Sequence, residues 1–216
     1  MSPEIIGLLA LALLFVAIFI GFPIAFTLIA LGLGVGYFAL GDLSIHLMTL
    51  QIFSVMRDPT LASVPFFLFM GYLLEESGLM QRLFRAVQLL LAGVNGALYL
   101  AVIITATIFA AATGIVGSSV TLLGVMAAPA MIRSKYDVRM SAGAITAGGT
   151  LGILIPPSVM LIVMGPVVGV PATDLFAAAV FPGLLLSGIF IVYTLVRCLL
   201  NQSLGPALPM SERRPL

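Results

Sequence analysis

Gly148-Gly149-Thr150-Leu151-Gly152-Ile153-Leu154-Ile155-Pro156-Pro157-Ser158 lies in the middle of an apolar run from Met140 to Gly165. In a helix interior each glycine costs about 1 kcal/mol and each proline about 3 kcal/mol relative to alanine. The stretch therefore reads as a helix interrupted at mid-run, unwound from Gly148 to Ser158, with Pro156 and Pro157 suited to start a second half-helix. The chain around it is built for hydrocarbon. Of its 216 residues 62% are hydrophobic and 8% charged, and mean hydropathy is +1.26. Soluble domains carry roughly a quarter charged residues, so the expectation is an all-α integral membrane protein, with about 20 apolar residues per crossing. In that setting an unwound backbone is tolerated only against protein or in a wet cavity.

Upstream, residues 96 to 132 carry no charge. They are flanked by Arg82 and Arg85 on one side and by Arg133, Lys135 and Arg139 on the other. Basic residues favour the cytoplasmic face, so both ends belong on one side and the segment must turn back. The turn is Thr113-Gly114-Ile115-Val116-Gly117-Ser118-Ser119, which has no charge, Asn or Asp to hold it at an outer water surface. A re-entrant hairpin is the reading, with this Gly/Ser stretch as its tip.

The remaining segments frame these two. The charge-free run from Ile5 to Gly41 would be roughly 55 Å long as one helix, so Gly21-Phe22-Pro23 is expected to break it. A basic start typical of a signal peptide is missing, since Glu4 is the only charge there. Residues 42 to 59 mix apolar and polar positions and suit an interfacial helix. His46 lies in that stretch, and with no second His or Cys near it in sequence it reads as an interfacial polar residue. Leu61 to Leu74 is a further apolar run ending at Glu75-Glu76-Ser77-Gly78, after which Arg82 and Arg85 are expected to share a face with Leu83, Val87 and Leu90. Leu175 to Leu200 returns to the basic side at Arg197. Residues 201 to 216 look like an exposed linker or tail. Gly32, Gly34 and Gly36 read as helix-packing residues.

Several functions are excluded by what is missing. Nine basic residues against eight acidic give a net charge of +1, too little for nucleic-acid binding. A single cysteine, Cys198, allows neither an internal disulfide nor a Cys metal cluster. Gly117-Ser118-Ser119 has the look of a nucleophile setting, but no Lys or His lies in those segments to act as its base. No carboxylate lies between Gly96 and Ile132 or between Met140 and Gly165, so a cation held there must use neutral oxygens. The candidate ion- and substrate-binding residues are Thr113, Gly114, Gly117, Ser118, Ser119, Gly148, Gly149, Thr150, Gly152, Pro156, Pro157 and Ser158. Oxygen cages suit hard cations such as Na⁺, half-helix N-termini suit a carboxylate, and paired broken helices point to a secondary-transporter site. No other cofactor is expected.

Six motifs together resemble a known family. They are Gly21-Phe-Pro-Ile-Ala-Phe26, Val64-Pro-Phe-Phe-Leu-Phe-Met-Gly71, Glu75-Glu-Ser-Gly78, Ala111-Ala-Thr-Gly-Ile-Val-Gly117, Lys135-Tyr-Asp137 and Gly149-Thr-Leu-Gly-Ile-Leu-Ile-Pro-Pro-Ser158. Their order and spacing resemble the large membrane subunit of tripartite ATP-independent periplasmic (TRAP) transporters, the DctM family, of the mannitol/chloroaromatic or C4-dicarboxylate type. The resemblance implies a non-enzymatic, multi-pass Na⁺-coupled importer of organic acids in the bacterial inner membrane. It also implies two partners, a small DctQ-like membrane subunit and a DctP-like periplasmic binding protein, and an elevator motion of a transport domain against a scaffold. Carried onto this chain, residues 1–95 would be scaffold helices with an interfacial arm helix. Residues 96–200 would be the first half of the transport domain, comprising a re-entrant hairpin at 96–132, a broken helix at 140–165 and a return helix at 175–200. The tip and the broken helix would form the first Na⁺ site and one wall of the substrate site.

Members of this family carry a second, inverted copy of these elements. No second Gly-rich tip or Pro-Pro-Ser is present here. The expectation is therefore one repeat of an inverted-repeat transporter: a truncated product, a fragment or half of a split permease, inactive without its missing C-terminal half. Two other readings compete with it. One is a Na⁺-coupled divalent-anion symporter of the same superfamily; the other is a non-transporting membrane scaffold.

Overall fold

The computed structural model describes residues 3–114 and 116–207. Among the described residues it contains ten α-helices, one short 3₁₀ turn and no strand. The chain divides into two compact units, Met1–Asp58 and Pro59–Leu216.

In the first unit, α1 (Pro3–Ile20) and α2 (Ile24–Leu40) pack on each other, as do α2 and α3 (Asp42–Met56). The break expected at Gly21-Phe22-Pro23 is there, with Gly21 at φ +100. Pro23 lies just before α2, and its carbonyl accepts from the Thr27 hydroxyl at 3.0 Å. Gly41, at φ +63, makes the turn into α3, where His46 is exposed. Of the three glycines expected to pack, only Gly36 does so: a methyl group on it would collide with Ser44. Gly32 and Gly34 have nothing within 4 Å of where a Cβ would stand, so their packing role is not seen in this unit.

The second unit holds both interrupted segments. Its helices are α4 (Ser63–Glu76), α5 (Leu79–Leu90), α6 (Ala97–Thr113), α7 (Val116–Arg133), α8 (Val138–Leu154), α9 (Val159–Val168) and α10 (Ala172–Leu200). Glu76 ends α4 and Gly78, at φ +68, turns the chain into α5, as the Glu-Glu-Ser-Gly motif suggested. The buried face of α5 is Met80, Phe84 and Val87, spaced i, i+4, i+7. Arg82 and Arg85 are exposed. They do not share the face of Val87, because 3.6-residue periodicity puts them across the helix from it.

α6 is buried almost all round, from Ala97 to Thr113, as a helix apolar on every side should be. It packs on α4, α5, α7, α8 and α10. Lipid is as apolar as leucine, so membrane helices associate through close packing of small residues. That is how α8 is held between the two arms of the hairpin. A Cβ on Gly148 would stand 3.1 Å from the Ala106 methyl of α6, and one on Gly149 would stand 3.0 Å from the Val120 backbone of α7. Gly149→Ala should accordingly wedge α7 off α8 and lower stability by about 1–3 kcal/mol. A thermal unfolding midpoint in detergent equal to wild type would contradict this.

Both glycines are helical, as are Thr150 and Gly152, because α8 runs through to Leu154. The interruption is therefore shorter than the expected Gly148–Ser158 and comprises residues 155 to 158 alone. Proline removes a backbone donor and disfavours helix at the preceding residue; glycine permits unwinding without enforcing it. The hairpin arms, the broken pair and the return helix take the bounds 97–113, 116–133, 138–168 and 172–200. By length and composition α7 and α10 are long and apolar enough to cross a membrane, and α8 with α9 would make a third span across a 43° bend.

At the end of this unit opposite the tip, three segments are tied together. The Tyr99 hydroxyl donates to the Leu204 carbonyl at 2.7 Å, Asp137 N–H donates to the same carbonyl at 3.0 Å, and Gly96 N–H donates to the Gly205 carbonyl at 2.8 Å. Tyr99 and Tyr136 meet edge to face with centroids 4.8 Å apart, and burial pushes the Tyr136 phenol up to about 12. Cys198 is fully buried against Gly96 and Gly205. The expected exposed tail starts as such, with residues 201–203 exposed, but Leu204 and Gly205 are docked on the N-terminus of α6 and the α7–α8 turn. Residues 208–216 lie outside the described residues. The knot brings the turn carrying Arg133, Lys135 and Arg139 to the same end as Arg197, as the charge distribution required.

Candidate functional site

α6 ends at Thr113, and Gly114 caps it in the left-handed conformation at φ +60, its N–H donating to the Ala110 carbonyl at 3.2 Å. Ile115 lies outside the described residues, and α7 begins at Val116. On the other side, Ile155 N–H closes α8 on the Leu151 carbonyl at 2.9 Å, and Ile162 N–H opens α9 on the Ser158 carbonyl at 3.1 Å. Between them lie Pro156 and Pro157, joined by a cis peptide bond.

These two interruptions meet. A Cβ built on Gly114 would stand 2.5 Å from the Pro157 carbonyl oxygen, 3.0 Å from Ser158 Cα and 3.3 Å from Val159 N. Only a residue without a side chain, and free to adopt positive φ, lets the backbones approach this closely. A third glycine closes the break from α10: a Cβ on Gly183 would stand 2.9 Å from Ile155 Cγ1 and 3.4 Å from the Leu154 carbonyl oxygen. Four helix termini therefore converge on residues 113 to 116 and 154 to 159. The C-termini of α6 and α8 bring the carbonyl end of their dipoles, and the N-termini of α7 and α9 bring the amide end.

The hydroxyls divide into two groups. Ser158 occupies the N-cap position of α9, yet it makes no capping bond; its Oγ is buried without a hydrogen-bond partner, and the residue is 0% exposed. Ser118, in the first turn of α7, also has a buried Oγ with no partner and so no base upon it. Ser119 is buried in the same turn. Thr113 is buried, with its hydroxyl proton donated to the Phe109 carbonyl at 3.1 Å, which leaves its oxygen lone pairs available. Thr150 does not join them: it is exposed and donates to the Ala147 carbonyl of its own helix at 2.8 Å, the back-bonding expected of a mid-helix threonine.

The structure thus brings together Thr113, Gly114, Pro157 and Ser158, with Pro156 in the same break and Ser118 and Ser119 one turn into α7. Gly148, Gly149 and Gly152 are buried in α8, where the first two serve packing. Gly117 is exposed, with nothing within 4 Å of where a Cβ would stand. Three polar residues were not anticipated. Thr105 on α6 is fully buried with an unpartnered Oγ1. Thr107 Oγ1 donates to the Ile103 carbonyl at 2.7 Å and so accepts from Ser187 Oγ of α10 at 2.6 Å. A lone Thr or Ser in an apolar helix carries no sequence signal for this. Among the described residues no three His, Cys, Asp or Glu side chains gather as a metal cluster, so the polar atoms at the break are hydroxyl and carbonyl oxygens and amides.

Comparison with known proteins places this geometry in a family. The model of the tripartite ATP-independent periplasmic transporter, DctM component, matches residues 11–210. The C4-dicarboxylate TRAP transporter large permease protein DctM of Pseudomonas aeruginosa is 34% identical over 149 residues, which are 69% of this chain and 35% of that protein. Its counterpart in Rhodobacter capsulatus is 30% identical over 204 residues, 87% of this chain and 46% of that protein. The isethionate TRAP transporter permease protein DctMQ of Oleidesulfovibrio alaskensis is 31% identical over 187 residues, 85% of this chain and 28% of that protein. The chain spans less than half the length of each of these relatives. With the family match running over nearly the whole sequence, the chain belongs to the DctM family of TRAP transporter components.

Proposed function

We propose that this chain is the N-terminal half of a TRAP-type large permease, a Na⁺-coupled secondary transporter that imports organic acids across the bacterial inner membrane. The observation that carries the reading is the contact of Gly114 with Pro157 and Ser158, which joins two interrupted helices beside the buried, unpartnered hydroxyl of Ser158. Leaving a buried hydroxyl unpaired costs about 1–3 kcal/mol. Ligation of a hard cation by the oxygens of Ser158, Thr113 and the freed carbonyls recovers that cost, and the amide ends of α7 and α9 suit the carboxylate of the substrate.

In this reading residues 1–95 are scaffold with an interfacial arm helix, and 96–200 are the first half of a transport domain that moves as an elevator. Residues 96–132 are its re-entrant hairpin. A second, inverted half supplies the other hairpin and ion site. A small DctQ-like subunit and a DctP-like periplasmic binding protein complete the system; the fused name DctMQ of the Oleidesulfovibrio relative supports the pairing of large and small subunits. Membership of the DctM family favours this reading over a divalent-anion symporter or a passive scaffold.

The test is uptake in liposomes by the permease assembled from both halves, the small subunit and the binding protein. Transport is expected to require a Na⁺ gradient, and uptake indifferent to Na⁺ would overturn the ion-site assignment. Ser158→Ala removes an oxygen that holds no hydrogen bond in the fold. It should raise the melting temperature measured without Na⁺, while raising the Na⁺ concentration for half-maximal uptake about tenfold, the equivalent of about 1.4 kcal/mol. An unaltered Na⁺ dependence would remove Ser158 from the ion site.

A further inference from the structure

A cavity of about 480 Å³ opens between α5 and α7. It shares no residue with either interruption. Its polar lining is Gln81, Arg85 and Gln88 from α5, with Arg133 and Ser134 at the end of α7. The α5 residues follow one another at i, i+4 and i+7 and so form one stripe. Its apolar wall includes Leu122, Val125 and Met126 of α7. Along α7 the lining therefore passes from three aliphatic side chains to a guanidinium and a hydroxyl over about 13 Å or more.

Two features set this cleft apart. Neither arginine makes an ion pair with a described residue, and no carboxylate lines the cavity. The other polar side chains beside them, Gln81, Gln88 and Ser134, are uncharged, so the polar lining is cationic overall. The neighbouring cavity between α8 and α10 differs. It also has two arginines, Arg139 and Arg197, but Asp137 lies among them.

We infer that the α5–α7 cleft binds one anionic glycerophospholipid. Its phosphate sits with Arg85 and Arg133, and an acyl chain lies along Leu122, Val125 and Met126. Basic pockets between helices at the membrane surface take such headgroups, and the apolar-to-cationic order along α7 matches the order of groups in a lipid. A small free anion would leave the aliphatic wall unused.

Native mass spectrometry of the purified chain, released from nanodiscs of mixed phosphatidylglycerol and phosphatidylethanolamine, tests the proposal. One retained phosphatidylglycerol per chain is expected. Arg85→Gln with Arg133→Gln should reduce its retention about thirtyfold, at about fivefold per charge. Arg139→Gln with Arg197→Gln, which removes the same two charges beside Asp137, should leave retention unchanged and serves as the folding and charge control. Equal retention by wild type and the double variant overturns the site. Displacement of the lipid by inorganic phosphate overturns the assignment to lipid in favour of a free anion. Loss of the bound lipid when the chain is assembled with its second half and small subunit overturns it in favour of a protein occupant of the cleft.

Discussion

Gly114→Ala should lower Na⁺-coupled uptake by the assembled permease about a hundredfold or more, an effect worth about 2.7 kcal/mol. Two costs combine. An alanine at φ +60 carries about 1–2 kcal/mol of left-handed strain. Its methyl would also stand 2.5 Å from the Pro157 carbonyl oxygen and 3.0 Å from Ser158 Cα. Both of those atoms are backbone, so no side-chain rotation relieves the collision; the tip must withdraw from the break, and overpacking of this kind costs about 1–3 kcal/mol. Gly117→Ala provides the contrast, because a methyl there meets nothing within 4 Å. Proteoliposome uptake of the two variants, with binding of the partner subunit as a check on folding, measures the difference. If the Gly114 variant transports as well as the Gly117 variant, the junction of tip and break has no part in transport.

The second large effect is expected from Pro156→Ala combined with Pro157→Ala. Only residues 155 to 158 leave the helix, and the prolines are the residues there that deny helix its donors. With alanines in place, hydrogen bonding can run on from α8 into α9, straightening the 43° bend and drawing Ser158 into a helix interior. Membrane insertion should be unaffected, since alanine is apolar and a strong helix former. Na⁺-coupled uptake should be lost. Wild-type uptake in the double variant would sink the claim that the break is a working part, whereas failure to insert would show that the prolines serve biogenesis instead.

The helix breaks were legible because proline and glycine act locally. Gly21-Phe22-Pro23, Glu75 to Gly78, Thr113-Gly114 and Ile155 to Ser158 all lie where one element ends and another begins. The common end shared by Arg133, Lys135, Arg139 and Arg197 was legible too, because charge avoids hydrocarbon whatever the packing. Glycine used for close approach was not. Gly148 and Gly149 have the composition of an unwound segment, but whether a glycine unwinds or admits a neighbour depends on what stands opposite, here Ala106 and Val120. The docked residues Leu204 and Gly205 were hidden for a related reason. Their anchoring uses backbone carbonyls, which every residue possesses and no sequence pattern reveals. The same limit applies to Thr150, whose hydroxyl turned to its own helix.

The four termini that converge at the break carry partial charges of both signs and no formal charge. Each contributes roughly half an elementary charge, two positive and two negative. Such a neutral cradle, filled by a cation and a carboxylate side by side, gains little net charge, and the filled assembly meets a modest Born penalty on passing through a region of low dielectric. Filled by either ion alone it would bear an uncompensated charge, costing several kcal/mol after relaxation. In the proposed carrier, the empty and doubly loaded forms would therefore be mobile and the half-loaded form would stall. Coupling of ion to substrate would then follow from electrostatics at a charge-free junction, with no dedicated gate to enforce it.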